Sequence, residues 1–119
     1  MIERAEQLHR QFFQPGFAGM SPSNWEPPVD VFESERELLI VVALPGVESQ
    51  DIEISAQPGT LLVAGIRRLP SAARGAAIER LEIPHGRFER RIRLPAQDWQ
   101  LDRSTLQNGC LLLNLAKRG

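Results

Sequence analysis

The sequence has few of the residues that cross-link small proteins or bind metals. Its 119 residues include one cysteine, Cys110, two histidines and no tyrosine. One cysteine excludes an internal disulfide framework and a cysteine-based zinc cluster, because both need several thiols. A chain of this length buries roughly two-thirds of its unfolded surface on folding. The composition therefore predicts one domain whose stability comes from apolar packing.

An excess of charge and long apolar runs are also missing. The net charge is −1 at pH 7, which gives no overall attraction to nucleic acid or to an anionic membrane. The longest apolar run, residues 38–45, is far shorter than the roughly 20 residues of a membrane-spanning helix. Residues 1–16 mix charged with apolar side chains, unlike a secretory signal. We therefore predict a cytoplasmic protein with no membrane partner.

Catalytic and cofactor motifs are absent from the sequence. It has no Walker A or GxGxxG loop, so nothing indicates a nucleotide cofactor. His9 and His85 have neither HxH nor HExxH spacing, so no metal site is predicted. Cys110 begins an apolar stretch after a turn, which is typical of a small core residue and not of a nucleophile. We predict no cofactor, no metal and no enzymatic activity.

Charge is segregated along the chain although its sum is close to zero. Residues 26–53 hold eight acidic residues and one basic residue, a balance of −7, whereas residues 67–93 hold eight arginines and three acids, a balance of +5. Phe88 is the one aromatic residue among these arginines, so nucleic acid is not predicted as a partner. The two blocks are suited to pairing with each other, between strands or between subunits. They are equally compatible with two ordinary solvated faces, and both interpretations stay open.

Four of the seven aromatic residues lie within the first 25 positions. The apolar residues Ile2, Ala5, Leu8 and Phe12 recur at spacings of three and four, which predicts a short amphipathic helix ended by Pro15. Such a helix is marginal alone in water, so its apolar face needs a cover. We expect the four aromatic residues to be surplus to the domain core: Phe12, Phe13, Phe17 and Trp25.

From residue 27 onward the pattern changes to short strands separated by turns. Residues 37–44 are too apolar for a strand with one solvated face, so both of their faces should be covered. Asn108-Gly109 between two apolar stretches predicts a tight hairpin, since both turn positions need a positive φ. The predicted strands are residues 29–32, 37–44, 51–56, 60–66, 77–83, 86–94, 104–107 and 110–116. Their regular spacing predicts an all-β sandwich of seven to eight strands.

Five ordered blocks between residues 27 and 117 resemble the small heat shock proteins and their α-crystallin domain. They match the family patterns PxxDIxE followed by LPGV, DIxV, LxIxGxR, GxFxRxxxLP and NGVLxI. Here they read PVDVFE followed by LPGV, DIEI, LLVAGIR, GRFERRIRLP and NGCLLL. One such block is weak evidence, but five in the same order are specific to the family.

The resemblance implies an immunoglobulin-like β-sandwich over residues 27–117, a partly helical arm over residues 1–26 and a remnant at 118–119. It also implies an ATP-independent chaperone, a holdase that binds partly unfolded client proteins and prevents their aggregation under stress. Self-association into dimers and small oligomers is expected, as is handover of clients to ATP-dependent chaperones. Client or arm contacts are expected at the four aromatic residues Phe12, Phe13, Phe17 and Trp25.

The resemblance further implies two surfaces. A strand near residues 68–70 should pair with the partner's strand at residues 29–32, and the dimer-interface candidates are Val29, Val31, Arg68, Leu69, Pro70 and Arg80. An apolar groove should lie between the strands at 51–56 and 87–94. Its candidate residues are Ile52, Ile54, Ile92 and Leu94, and the sequence leaves open that these four are simply core.

Two departures from the family pattern shape these expectations. No Ile-x-Ile motif follows Lys117, so either a tail has been removed from this sequence or the protein forms small assemblies in place of large shells. Ala116 replaces the usual proline, a local change that does not affect the fold. A binding module of the CS-domain type, docking on a larger ATPase, is the alternative function, although the arginine-rich strand and the long loop at 67–77 argue against it.

Overall fold

A computed structural model describes residues 24–118 of the chain. The described residues form seven strands and two short 3₁₀ turns. The predicted all-β sandwich is confirmed. The strands are β1 (Val29–Glu33), β2 (Glu37–Ala43), β3 (Ile52–Gln57), β4 (Thr60–Arg67), β5 (Gly86–Arg93), β6 (Trp99–Gln107) and β7 (Cys110–Lys117).

The strands are arranged in two antiparallel sheets. One has four strands in the order β1-β2-β7-β6, and the other has three in the order β3-β4-β5. The Asn108-Gly109 turn joins β6 to β7 with φ values of 54° and 75°, and Gln107 pairs with Cys110 across it. The predicted hairpin is therefore confirmed, because these angles are the ones a two-residue turn of this kind requires.

The core between the sheets comes from strict alternation along the strands. Leu38, Ile40 and Val42 of β2 are fully buried, while the residues between them are half-buried. Full burial of one such side chain stabilises the fold by about 1.5–3 kcal/mol. Phe88 of β5 is the largest fully buried side chain. A Cβ atom at Gly65 would collide with the carbonyl oxygen of Asp51 and with the Phe88 ring, so the sheet closes over Phe88 only with glycine there.

Two of the strand predictions were wrong, one in its existence and one in its length. Residues 77–83 form no strand, because no neighbouring strand in the described chain offers them hydrogen-bond partners. The strand predicted at 104–107 is longer and begins at Trp99, with a register shift between Leu101 and Arg103. A bulge of this kind lets a strand continue through residues that break the alternation.

Trp25 packs against the core, so the prediction that it is surplus was wrong. Its ring centroid lies 5.2 Å from that of Phe88, and its indole Nε1–H donates to the Gly86 carbonyl at 3.2 Å. Trp25 also forms a parallel bridge with Phe88. An indole is amphipathic, so it can extend the core while its N–H reaches a backbone acceptor. The other three aromatic residues of that prediction, Phe12, Phe13 and Phe17, lie outside the described residues.

Candidate functional site

Strand β1 leaves one edge of the four-stranded sheet open. It pairs with β2 alone, and Val31 and Phe32 are 46% and 56% exposed. Backbone bonds join Pro28 to Ala43 and Ser34 to Glu37, so the even-numbered residues of β1 are those that bond to β2. In an antiparallel pair the intervening residues direct their N–H and C=O groups away from the partner strand. Val31 therefore presents a free donor and acceptor at the open edge.

The loop between β4 and β5, residues 68–85, is the second unusual surface. Nearly every residue in it is exposed. Four large apolar side chains are among them, with exposed fractions between 39% and 63%: Leu69, Ile78, Leu81 and Ile83. They line an open cavity of about 480 Å³. Single exposed apolar residues are ordinary, but a cluster of this kind is typical of an association surface.

The base of this loop is fixed to the sandwich by two adjacent arginines. The Arg67 guanidinium donates to the carbonyl of Pro45 at 2.8 Å and to that of Pro84 at 3.3 Å. Arg68 forms a two-pronged ion pair with Asp51 at 3.1 and 3.2 Å. The hydrogen bond to Asp51 and its negative charge raise the pKa of Arg68. The loop therefore leaves the sandwich from a defined position.

The candidate dimer residues fall on these two surfaces. Val29 is half-buried and Val31 is exposed, both on β1. Arg68, Leu69 and Pro70 lead into a 3₁₀ turn, so they form no strand within the chain. Arg80 is exposed in the loop, and its guanidinium lies 3.7 Å from the Glu82 carboxylate.

The groove was placed between the wrong strands. Strands β3 and β5 are not neighbours, because β4 lies between them and bonds to both. Ile52, Ile54 and Ile92 are at most 5% exposed and belong to the core. The core interpretation, which the sequence left open, therefore applies to these three residues.

Leu94, the fourth of the groove residues, lines a cavity. This cavity, of about 360 Å³, lies where the turn after β3 meets the start of β6. Trp99 and Leu101 are its other large apolar residues, and all three are half-buried. The Trp99 indole N–H donates to the Pro95 carbonyl at 3.2 Å, which fixes the ring at the mouth of the cavity. This cavity therefore lies between the two sheets and not within one of them.

Sequence reasoning missed the residues that give both surfaces their apolar character. Ile78, Leu81 and Ile83 were assigned to a strand of the same sandwich, although their place between Gly75 and Pro84 was a signal that they lie in a loop. Trp99 was not among the predicted groove residues, because nothing in the sequence indicates that β6 begins next to the β3 turn.

The described residues carry no cluster of side chains suited to holding a metal ion. Among residues 24–118, no three His, Cys, Asp or Glu side chains converge as a metal site would need. His85 and Cys110 are half-buried on different elements. In the same range no helix has the length and apolar character needed to cross a membrane.

Burial raises the pKa of Glu53, and the charge of Arg87 partly opposes that shift.

Comparison with known sequences gives one consistent family. The profile of the Hsp20/alpha crystallin family matches residues 30–119. Spore protein SP21 of Stigmatella aurantiaca is 31% identical over 106 residues, which is 87% of this chain and 63% of that protein. A 22.0 kDa heat shock protein of Arabidopsis thaliana is 31% identical over 91 residues, covering 75% of this chain and 47% of its own length. The chain thus spans about half to two-thirds of these relatives.

Solved structures agree in fold. HspA of Xanthomonas axonopodis is 29% identical with a TM-score of 0.66, covering 81% of this chain and 97% of its own. A small heat-shock protein of Xylella fastidiosa is 29% identical with a TM-score of 0.67, covering 82% and 90%. The two-sheet sandwich, the long exposed loop and these matches together show that the chain belongs to the Hsp20/alpha crystallin family, the small heat shock proteins.

Proposed function

We propose that the chain is an ATP-independent holdase that binds partly unfolded proteins in the cytoplasm and hands them to ATP-dependent chaperones. The family is one of chaperones, which supports the general activity. The holdase mechanism is supported by the exposed apolar cluster of residues 69–83, together with the open sheet edge at β1. An unfolding client exposes apolar surface, and a binder that offers apolar surface competes with the client's own aggregation.

Self-association forms part of this proposal. The small heat-shock protein of Xylella fastidiosa is described as having a distinct high order structure. In this chain the open β1 edge presents backbone donors and acceptors, and residues 77–83 are an exposed segment without strand partners among the described residues. If residues 77–83 of a second copy pair with the β1 edge, the backbone groups of the edge and of that segment gain hydrogen-bond partners. Open sheet edges commonly gain partners in this way.

The pairing segment proposed is residues 77–83 and not residues 68–70. Pro70 has no N–H to donate, and residues 71–73 turn away as a 3₁₀ helix. Residues 77–83 contain no proline, and Ile78, Leu81 and Ile83 supply apolar area to an interface. Arg80 in this segment is exposed and faces an acidic β1 strand in the proposed pair, which complements it in charge.

Light scattering by a heat-unfolded client tests the holdase. We expect equimolar protein to suppress scattering without ATP, because capture requires surface contact and no reaction. A variant with Ile78→Ser and Ile83→Ser should protect less, while Leu112→Ser, on the outer face of β7, serves as the matched control. Absence of suppression at several-fold excess would contradict the proposal. Recovery of one stoichiometric ATPase partner in place of varied clients would favour the adaptor alternative.

A further inference from the structure

The outer face of the four-stranded sheet carries an apolar strip that no described strand covers. Side chains alternate along β2 and β7, so the residues between the buried ones point away from the other sheet. The apolar ones among them are half-buried: Leu39, Val41, Ala43, Cys110, Leu112 and Ala116. Phe32 of β1 pairs with Leu39 on the same face and is 56% exposed. Because the three-stranded sheet packs against the opposite side, this strip remains in contact with water.

The other outer face of the sandwich offers no comparable apolar area. Leu62 and Ala64 of β4 point outward there, but they are at most 2% exposed. The outward residues of the flanking strands β3 and β5 are polar or charged, with Glu53 and Arg91 as examples. An antiparallel sheet with one solvated face normally carries polar residues on that face. The accessible apolar strip of the four-stranded sheet is therefore typical of an association surface.

Charged residues lie along the two opposite margins of the strip. Asp30 of β1 and Glu37 of β2 pair with outward residues, so both acids lie on the outer face towards one margin. Arg103 of β6 pairs with Asn114 at the other margin, and Asp102 beside it is the extra residue of the bulge. Asp30, Glu37 and Arg103 are exposed, and none of them forms an ion pair with another residue in the range 24–118. The strip is thus negative along one margin and positive along the other.

This charge pattern is self-complementary under one of two possible two-fold rotations. Two copies of a sheet that stack face to face are related by an axis along the strands or across them. An axis along the strands places β1 of each copy over β6 of the other, which brings Arg103 near Asp30 and Glu37 of the second copy. It also places Val41 of one copy over Leu112 of the other. An axis across the strands would stack β1 on β1 and bring like charges together, which is unfavourable.

We propose that this outer face pairs with the same face of a second copy about a two-fold axis parallel to the strands. Four strands and the seven residues of β2 give a face of about 19 by 24 Å. Two such faces bury about 900 Å² in total, which is at the low end of specific interfaces and indicates a weak, reversible contact. The proposal goes beyond the edge pairing proposed above and does not depend on it. The backbone groups of β1 point along the sheet and not out of its face, so one copy can use both surfaces.

Exchange of charge between the two margins tests this pairing. Arg103→Glu alone, and Asp30→Lys with Glu37→Lys, should each weaken association by about tenfold, because each places like charges across the interface. The variant with all three changes should associate like the starting chain. Within one chain Asp30 and Arg103 are three strand spacings apart, about 14 Å, so such a rescue arises only between copies.

Sedimentation equilibrium of the full chain measures this association. The three variants are made in a Val31→Pro chain, which lacks the free N–H of the β1 edge, so that the result does not depend on edge pairing. The proposal is overturned if this chain is monomeric, if Arg103→Glu leaves association unchanged, or if the triple variant stays as weak as the others. Unchanged association is also the result expected if a different protein or another part of this chain covers the face.

A change at the apolar centre of the strip provides a second measurement. Leu112→Ser should weaken association by about tenfold and leave client protection unchanged, because the loop at residues 68–85 stays exposed. Ile66→Ser is the matched control, since Ile66 is also half-buried but lies on the outer face of the other sheet. A folded Leu112→Ser variant that associates like this control would refute the pairing. Client protection is tested separately by Ile78→Ser with Ile83→Ser, so failure of the holdase proposal is distinguishable from failure of this one.

Discussion

The sandwich and the loop at residues 68–85 contain the same kinds of apolar side chain, but the sandwich buries them and the loop leaves them exposed. Ile40 and Ile54 in the strands are fully buried, whereas Ile78 and Ile83 in the loop are 63% and 54% exposed. The isoleucines do not differ, so the difference comes from the neighbours. A strand in a sheet has hydrogen-bond partners on its flanks and a second sheet across its face, and the loop has neither within the described chain.

This difference separates stability from association. Apolar area in the core of the sandwich is already removed from water, so it contributes to folding and is not available to a partner. Apolar area in the loop contributes little to folding and remains available for a second copy or a client. The Arg67 and Arg68 contacts connect the two regions, because they hold the base of the loop while its apolar side chains stay outside.

The largest effect is expected in the core. Phe88→Ala should lower the free energy of unfolding by about 3–5 kcal/mol, because it leaves a cavity under Trp25 and Gly65. Phe32→Ala is the matched control, since Phe32 is 56% exposed and its loss should change stability by less than about 0.5 kcal/mol. Urea unfolding followed by circular dichroism measures both, and equal effects would contradict the assignment of stability to the buried apolar side chains and not to the exposed ones.

The next effect concerns the open edge. Val31→Pro removes an N–H that points away from β2, so it should leave the β1-β2 ladder intact and weaken self-association by about tenfold or more. Val31→Thr keeps the N–H and the β-branched shape, so its association should stay near that of the wild type. Sedimentation equilibrium measures the dissociation constants, and identical values for the two variants would exclude this edge from the interface.

The fold was predictable because its information is local. The apolar run of β2 and the two positive-φ residues at Asn108-Gly109 are written in short stretches of sequence, and the strand and the turn were predicted correctly. The prediction that both faces of β2 are covered was wrong, because its outer face is only half-buried. Strand pairing is not local. The groove prediction, which the family resemblance implied, named β3 and β5, and β4 lies between these two strands.

The candidate site was less predictable for a related reason. Residues 77–83 have a composition suited to a strand, but a strand also needs a neighbour, and none is present among the described residues. Trp25 presented the opposite case, since its sequence position suggested a flexible arm while a single bridge to Phe88 places it on the core. In both cases the deciding contact involves a strand that is distant in the sequence. A short sequence pattern does not reveal such a contact.

The loop itself gives the third prediction. Ile78→Ser combined with Ile83→Ser should change the free energy of unfolding by less than about 0.5 kcal/mol per site, because both side chains are exposed. The same pair should reduce association and client protection, if the loop acts outside the fold. Urea unfolding and client light scattering on one preparation give the two values. A large loss of stability would show that the loop supports the sandwich after all.

The smallest effect is expected at Glu53, where the sheet buries part of a charge. Burial raises the pKa of this carboxyl above its ordinary value of 4.5, with the charge of Arg87 opposing the shift. The folded state therefore binds its proton more tightly than the unfolded state. It follows that the ionised form destabilises the fold at neutral pH. This loss of stability disappears as the pH falls through the folded pKa towards 4.5.

Glu53→Gln should thus be slightly more stable than the wild type at pH 7 and equal to it below pH 4.5. Urea unfolding across that range measures the difference, with Glu33→Gln on the exposed β1 strand as the control, and a Glu53→Gln advantage that grew on acidification would contradict the burial of this carboxyl as its cause.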